Sequence, residues 1–327
     1  MTPPALLRLT VLALVLHACD RPPPRTVELN ALARGAGAFV AVGTQEREDK
    51  TQGLVLRSGD GQTWSEVTLA APGPLVMLAE GGPGLVAVGS YTPEAREGAA
   101  APGPAGLVML SSDGVRWEAA ASPPGPPLLD VAASGEGLVA VARRSLYWSS
   151  DGRVWLQQPV GSADDESWSQ VEASDGRFVA LGRRPAVSSD GRSWQPVTTI
   201  PEGELKGLRY TGGAFYSTGR VGGFFGGVGE DGCVLLRSED GVQWAPVDGA
   251  APGCALDVAR TDQQALLLSS KGVFEATSFA GPWSLRSSLE GAQPLRMEPG
   301  AGRWVIAARD ALWTSADGKV WNRTFAP

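Results

Sequence analysis

From residue 28 onward, apolar residues fall in short runs of four to six separated by Gly-, Pro- and Ser-rich breaks, and no stretch keeps a helical period. Runs of this length rich in Val, Leu and Ala, bounded by turn residues, predict strands. One run recurs: Ala38-Phe-Val-Ala-Val-Gly43, Gly84-Leu-Val-Ala-Val-Gly89, Gly137-Leu-Val-Ala-Val-Ala142 and Arg177-Phe-Val-Ala-Leu-Gly182. Looser versions stand at Ala214-Phe-Tyr-Ser-Thr-Gly219 and Arg303-Trp-Val-Ile-Ala-Ala308. Downstream of it comes a polar turn with a fixed spelling. Ser58-Gly-Asp60-Gly61-Gln-Thr-Trp64 is repeated with Asp113 and Trp117, Asp151 and Trp155, Asp190 and Trp194, Asp240 and Trp244, and Asp317 and Trp321. A degenerate copy, Ser278-Phe-Ala-Gly281-Pro-Trp283, lacks the Asp.

The seven tryptophans are spaced 53, 38, 39, 50, 39 and 38 residues apart, which is one unit of 38–39 residues with two insertions. Each unit reads as strand A, a Gly turn, strand B, a connection, strand C, the Ser-x-Asp-Gly-x-x-Trp turn and strand D. Four short strands in about 40 residues is the arithmetic of a propeller blade. The expectation is therefore an all-β, seven-bladed β-propeller of four-stranded antiparallel blades over residues 28–327. In the turn, Asp accepts bonds from the amides that follow while Gly takes a positive φ, and Trp supplies a ring to bury between blades.

These turns resemble the Asp-box, or BNR, repeat of sialidase-like propellers, in a compact form with one residue fewer between Asp and Trp. The resemblance spans nearly the whole chain after residue 28 and implies a structural role for the box, away from any active site. It stops at the fold. A true sialidase needs an Arg-Ile-Pro near its start, an arginine triad and a nucleophilic Tyr with a Glu partner. There is no Arg-Ile-Pro here, and of the tyrosines (Tyr91, Tyr147, Tyr210, Tyr216) two fall in predicted strands.

Residues 1–18 carry Arg8, then an apolar run to Leu16, too short to span a bilayer but suited to a secretory signal. Leu16-His17-Ala18-Cys19 resembles a bacterial lipobox, which implies lipidation at Cys19 and a Pro-rich tether over residues 19–27. An ordinary signal peptide with Cys19 as a stray thiol is the alternative. The expected address is the bacterial cell envelope, lipid-anchored at the outer membrane or periplasmic face or at the cell surface. Cys233 and Cys254 are left as an even pair in an oxidising compartment, open to a disulfide or to two partly buried thiols.

Composition narrows the chemistry. Loss of the leader removes the single histidine, His17, and with it histidine bases and ligands. A net charge of −7 argues against nucleic acid. No phosphate-cradling loop or metal-ligand spacing is present, so no cofactor or metal is expected.

Candidate sites lie where blades differ. From strand B to the turn Ser, blades one, two and five are long, at 15, 22 and 19 residues, against 6 to 9 in the others. Variation on one face marks either function carried on loops or neutral insertion at exposed tips. On that face Arg143, Arg144, Arg183, Arg184, Arg220, Lys271 and Arg309 follow strand B and form a candidate ring for a carboxylate or phosphate, with Asp310, Asp164, Asp165 and Glu166 available to neutralise it. Equivalent strand-A positions, Ala31, Met77, Asp130, Gln170, Gly207, Asp257 and Arg296, border the channel. There Asp130 and Asp257 beside Arg296 are candidates for glycoside chemistry or a satisfied polar lining. Tyr91, Phe224 and Phe225 are candidate contact aromatics. The leading expectation is a non-catalytic, lipid-anchored platform for an envelope protein or glycan. The alternative is a glycan-active or acidic-sugar-binding protein using the Arg-rich mouth.

Overall fold

The structure is a computed structural model describing residues 26–326 except 48–49, 83, 96–99, 124, 160–166, 175, 184, 201–202, 222–231, 248–252 and 280. The leader, Cys19, most of the tether, residues 164–166, Arg184, Phe224 and Phe225 lie outside the described residues. The described chain forms seven four-stranded antiparallel sheets, each of four consecutive strands. It is a seven-bladed β-propeller.

Strand B of each blade is buried on both faces because it is sandwiched between neighbouring blades, which explains its continuous apolar spelling. Phe39, Val40, Ala41 and Val42 have no exposed surface, and Leu85–Val88 and Leu138–Ala142 repeat the pattern. Strand D is only two to four residues long, from Ser65–Glu66 to Asn322–Phe325. Short outer strands limit the open sheet edge.

The core is seven separate interblade clusters rather than one. Each turn tryptophan packs into the cluster between its own blade and the preceding one: Trp117 between blades one and two, Trp155 between two and three, and Trp321 between six and seven. The turns orient these rings. Asp60 Oδ1 accepts the amides of Gln62 and Thr63 at 2.8 Å, and Ser58 Oγ accepts the Gly61 amide at 2.8 Å. The indole N–H of Trp155 then donates to Gly152 O at 2.9 Å, and that of Trp244 to Gly241 O at 2.8 Å. The amide of Thr63, followed by that of Gln62, holds the Asp60 carboxyl down at about 2. In the degenerate sixth turn Phe279 is buried instead, its ring 4.5 Å from Tyr216 and 6.2 Å from Trp283.

Among the described residues, no strand is exchanged between the first and last blades. The ring closes by packing Leu29, Leu32, Phe39 and Trp64 against Val305, Ala307, Leu312 and Phe325. The Leu29 amide donates to Arg309 O at 2.7 Å, and Trp64 Nε1 donates to Thr324 Oγ1 at 3.3 Å. The same main-chain bond joins blades four and three, from the Trp168 amide to Arg143 O at 2.9 Å. The closing seam thus reuses an internal joint.

One expectation about length is corrected. Blade one's extra residues do not form a long connection. They lengthen strands B and C into a hairpin, Ala38–Arg47 paired with Lys50–Ser58. The long connections are those of blades two (92–104) and five (222–232).

Candidate functional site

Every innermost strand carries a β-bulge at the same place. Pairing jumps from Leu29 to Ala31, Leu75 to Met77, Leu128 to Asp130, Trp168 to Gln170, Leu205 to Gly207, Ala255 to Asp257 and Pro294 to Arg296. In blades one and two the bulged strand passes close to the Gly of strand B that pairs with it. A Cβ on Gly43 would lie 2.1 Å from Glu28 O, and one on Gly89 2.0 Å from Pro74 O.

A bulge re-aims side chains. A regular strand sends consecutive residues to opposite faces. Here the consecutive pairs Asn30 and Ala31, Lys206 and Gly207, Leu256 and Asp257, and Leu295 and Arg296 line one cavity of about 170 Å³ at the channel mouth. That cavity shares Lys206, Gly207, Thr218, Leu256 and Leu295 with a groove of about 530 Å³, walled further by Arg220, Pro294 and the cysteines. Cys233 and Cys254 are joined as a disulfide, with Cα atoms 5.1 Å apart. Both hollows open on the face of the B–C and D–A connections. The skipped residues include Val76, Leu129, Leu256 and Leu295, and Leu129 and Leu256 are 38% and 37% exposed.

The floor is ionic. Arg209 pairs with Glu298 at 2.7 Å, and Arg296 reaches Glu172 at 3.4 Å and Glu298 at 3.8 Å. Asp130 Oδ2 accepts the Val171 amide of the next blade at 3.0 Å, and its Oδ1 accepts its neighbour's amide, Val131, at 2.7 Å. Asp257 Oδ2 accepts the Met297 amide of the next blade at 2.8 Å. These two aspartates latch adjacent blades. Burial pushes the Asp130 carboxyl up to about 7, with Glu172 adding to the shift against the two amides and Arg296. Burial also raises Glu172 and Asp257. Met77, Arg209 and Arg296 line both this cavity and a second one of about 210 Å³ on the opposite side. Among the described residues, Gln170 Oε1, Arg209 Nε and Arg296 Nε are buried without a hydrogen-bond partner.

The structure brings Asp130, Asp257 and Arg296 into one network and adds Glu172, Arg209 and Glu298. The period of two in a strand pointed to the additions: each follows by two residues a channel position, Gln170, Gly207 or Arg296. Of the rim cations, Arg220 reaches the groove. Arg143, Arg144, Arg183 and Lys271 are exposed on turns and line neither hollow, and Arg309 is paired with Glu28. Asp310 pairs with Arg323 at 3.3 Å. Tyr91 is not in a loop: it ends strand B of blade two opposite Ala105, half-buried against the core of blades one and two. No described group of three or more His, Cys, Asp or Glu side chains is placed to hold a metal ion.

No family model and no curated protein matches this sequence. Solved structures do. YCF48 bound to D1 peptide superimposes with a TM-score of 0.61 at 15% identity, covering 88% of this chain and 92% of that one. A catalytically inactive virginiamycin B lyase from Staphylococcus aureus with quinupristin gives 0.62 at 10% identity, covering 86% and 92%. The GH74 enzyme of Niastella koreensis gives 0.55 at 15% identity, covering 88% of this chain but 43% of that one. The likeness is one of fold. At these identities it reaches the seven-bladed scaffold and no residue of the site.

Proposed function

We propose that this chain is a lipid-anchored β-propeller of the bacterial cell envelope that binds an envelope protein through the face carrying the B–C and D–A connections. The observation that carries the reading is the groove of about 530 Å³ running into the smaller cavity at the channel mouth, where aliphatic side chains sit beside Lys206 and Arg220. Such a concave hollow, in which aliphatic and polar groups converge in near-equal measure, is the form of a binding site. The propeller neighbour YCF48, seen with a D1 peptide, supports a peptide as the occupant. The anchor rests on Leu16-His17-Ala18-Cys19.

A second reading, a glycan-active or acidic-sugar-binding protein, draws on Asp130, a buried carboxyl near 7 as a general acid requires. It is the weaker reading, because both oxygens of Asp130 and one of Asp257 already accept main-chain amides. The test is in-cell photo-crosslinking from position 256 in the mouth and position 320 on the opposite rim. The expected result is a discrete protein adduct from 256 only. Adducts from both positions or from neither overturn the reading, and a glycan adduct from 256 establishes the alternative. Replacing Cys19 by Ser should release the protein from the membrane fraction.

A further inference from the structure

We infer that the protein bound at the mouth is itself held in the bilayer that carries Cys19, and that it reaches the mouth with a segment rising from that bilayer. The inference rests on the protein-binding reading and the Cys19 anchor above, and adds where the partner stands.

Three observations converge. The chain enters the propeller on the face that carries the mouth. Strand A of blade one starts at the exposed Thr26, opposite Glu46 near the tip of the B–C hairpin, and runs to Gly35 at the opposite face. Asn30 and Ala31, a few residues inside this entry, already line the cavity. The entry is also fixed to the domain. Val27, Glu28 and Leu29 pair with Gln45, Thr44 and Gly43, Val27 and Leu29 are buried, and the Leu29 amide donates to Arg309 O at 2.7 Å. The third observation is one of length. Seven Cα steps separate Cys19 from Thr26, and whatever path they take they reach no further than about 25 Å. Strand A of blade one, at 10 residues, is itself about 30 Å long.

The tether is therefore shorter than the propeller is tall. It cannot pass around the domain and lay the face of the Asp-Gly turns on the lipid. The propeller rests with its mouth toward the bilayer or tips onto the edge of blade one, and in neither position does the mouth point away from the membrane. Space then selects the partner. With the mouth toward the lipid, the gap is no deeper than about 25 Å. A folded domain of about 100 residues has a radius of gyration of about 13 Å and is wider than that gap. An extended segment, about 10 Å thick, fits within it. A segment that rises from the same bilayer enters from below and shares one thin layer with the mouth, which raises its effective concentration.

The test uses the full chain in cells with a photo-reactive residue at position 256, on its own tether and on one lengthened between Arg25 and Thr26. The insert is about 20 Gly and Ser residues around a site-specific protease site. After crosslinking, the membranes are isolated, the long tether is cut and the pellet is washed at alkaline pH. The expected result is that chains without an adduct leave the membrane while the adduct stays, held by its partner. Effective concentration falls as about the −3/2 power of tether length, so the long tether should also lower the adduct yield about sevenfold relative to the native one. An adduct released together with the free chains, or a yield that is unchanged or higher on the long tether, overturns the inference and leaves a soluble protein as the partner. The underlying readings fail separately. No protein adduct on the native tether removes the protein-binding reading, and a Cys19→Ser chain that stays in the membrane fraction removes the anchor; either takes the inference with it.

Discussion

Replacing Asp130 by Asn tests the latch between blades three and four through its protonation. Asp130 is 5% exposed, and its carboxyl sits at about 7 against an ordinary value of 3.8. The folded chain therefore keeps a proton that the unfolded chain sheds near pH 4. The stability linked to that proton is fully present below pH 4 and is lost as pH rises toward 7, at no more than about 1.4 kcal/mol per pH unit, roughly 4 kcal/mol in all. Asn cannot titrate, so this slope vanishes in the variant. Its single acceptor oxygen also abandons one of the two amides, Val131 or Val171, a cost of about 1–3 kcal/mol that is the same at every pH. The wild type should thus be the more stable protein at pH 4, and the gap should close as pH rises and invert by pH 8. Urea midpoints followed by tryptophan fluorescence at unit intervals from pH 4 to 8 read it directly. A gap constant across that range, or one that widens with pH, refutes the assignment of the raised carboxyl to Asp130.

Four further perturbations address the ring. Gly191→Ala places a Cβ 2.7 Å from Trp148 Cδ1 and 2.8 Å from Val139 Cγ2 at a φ of +71°, and should cost more than about 2 kcal/mol in thermal melting. Gly176→Ala, at a φ of +83° with nothing within 4 Å, should cost only about 1 kcal/mol. Leu29→Ala empties a fully buried position in the seam between blades seven and one, and should cost about 3 kcal/mol and hasten proteolysis of the native protein. Cys233→Ser, which opens a bridge across 21 residues, should lower stability by about 3 kcal/mol in a urea titration and loosen the groove wall, read as faster amide exchange in Val234 and Ala255.

The sequence by itself determined the repeat, the number of blades and the place of each turn. These depend on interactions within seven residues, such as Asp60 with the amides of Gln62 and Thr63, so local spelling is sufficient. It also located the channel positions, because a strand period of two is fixed by backbone geometry, and Asp130, Asp257 and Arg296 lie where that period puts them. Three other properties depended on pairing and packing between strands. Glu172, Arg209 and Glu298 gain their meaning only when strands distant in the chain meet around one axis, as in the pair Arg209–Glu298. The aliphatic mouth depends on bulges, which add one residue against a partner strand and have no spelling of their own in a single strand. The extra length of blade one went into a hairpin rather than a loop because residues 44–47 and 50–53 found each other as partners, a choice made by pairing and not by composition. Local hydrogen bonding thus wrote the blades into the sequence, while the site belongs to long-range packing, in which residues far apart in the chain supply one cavity.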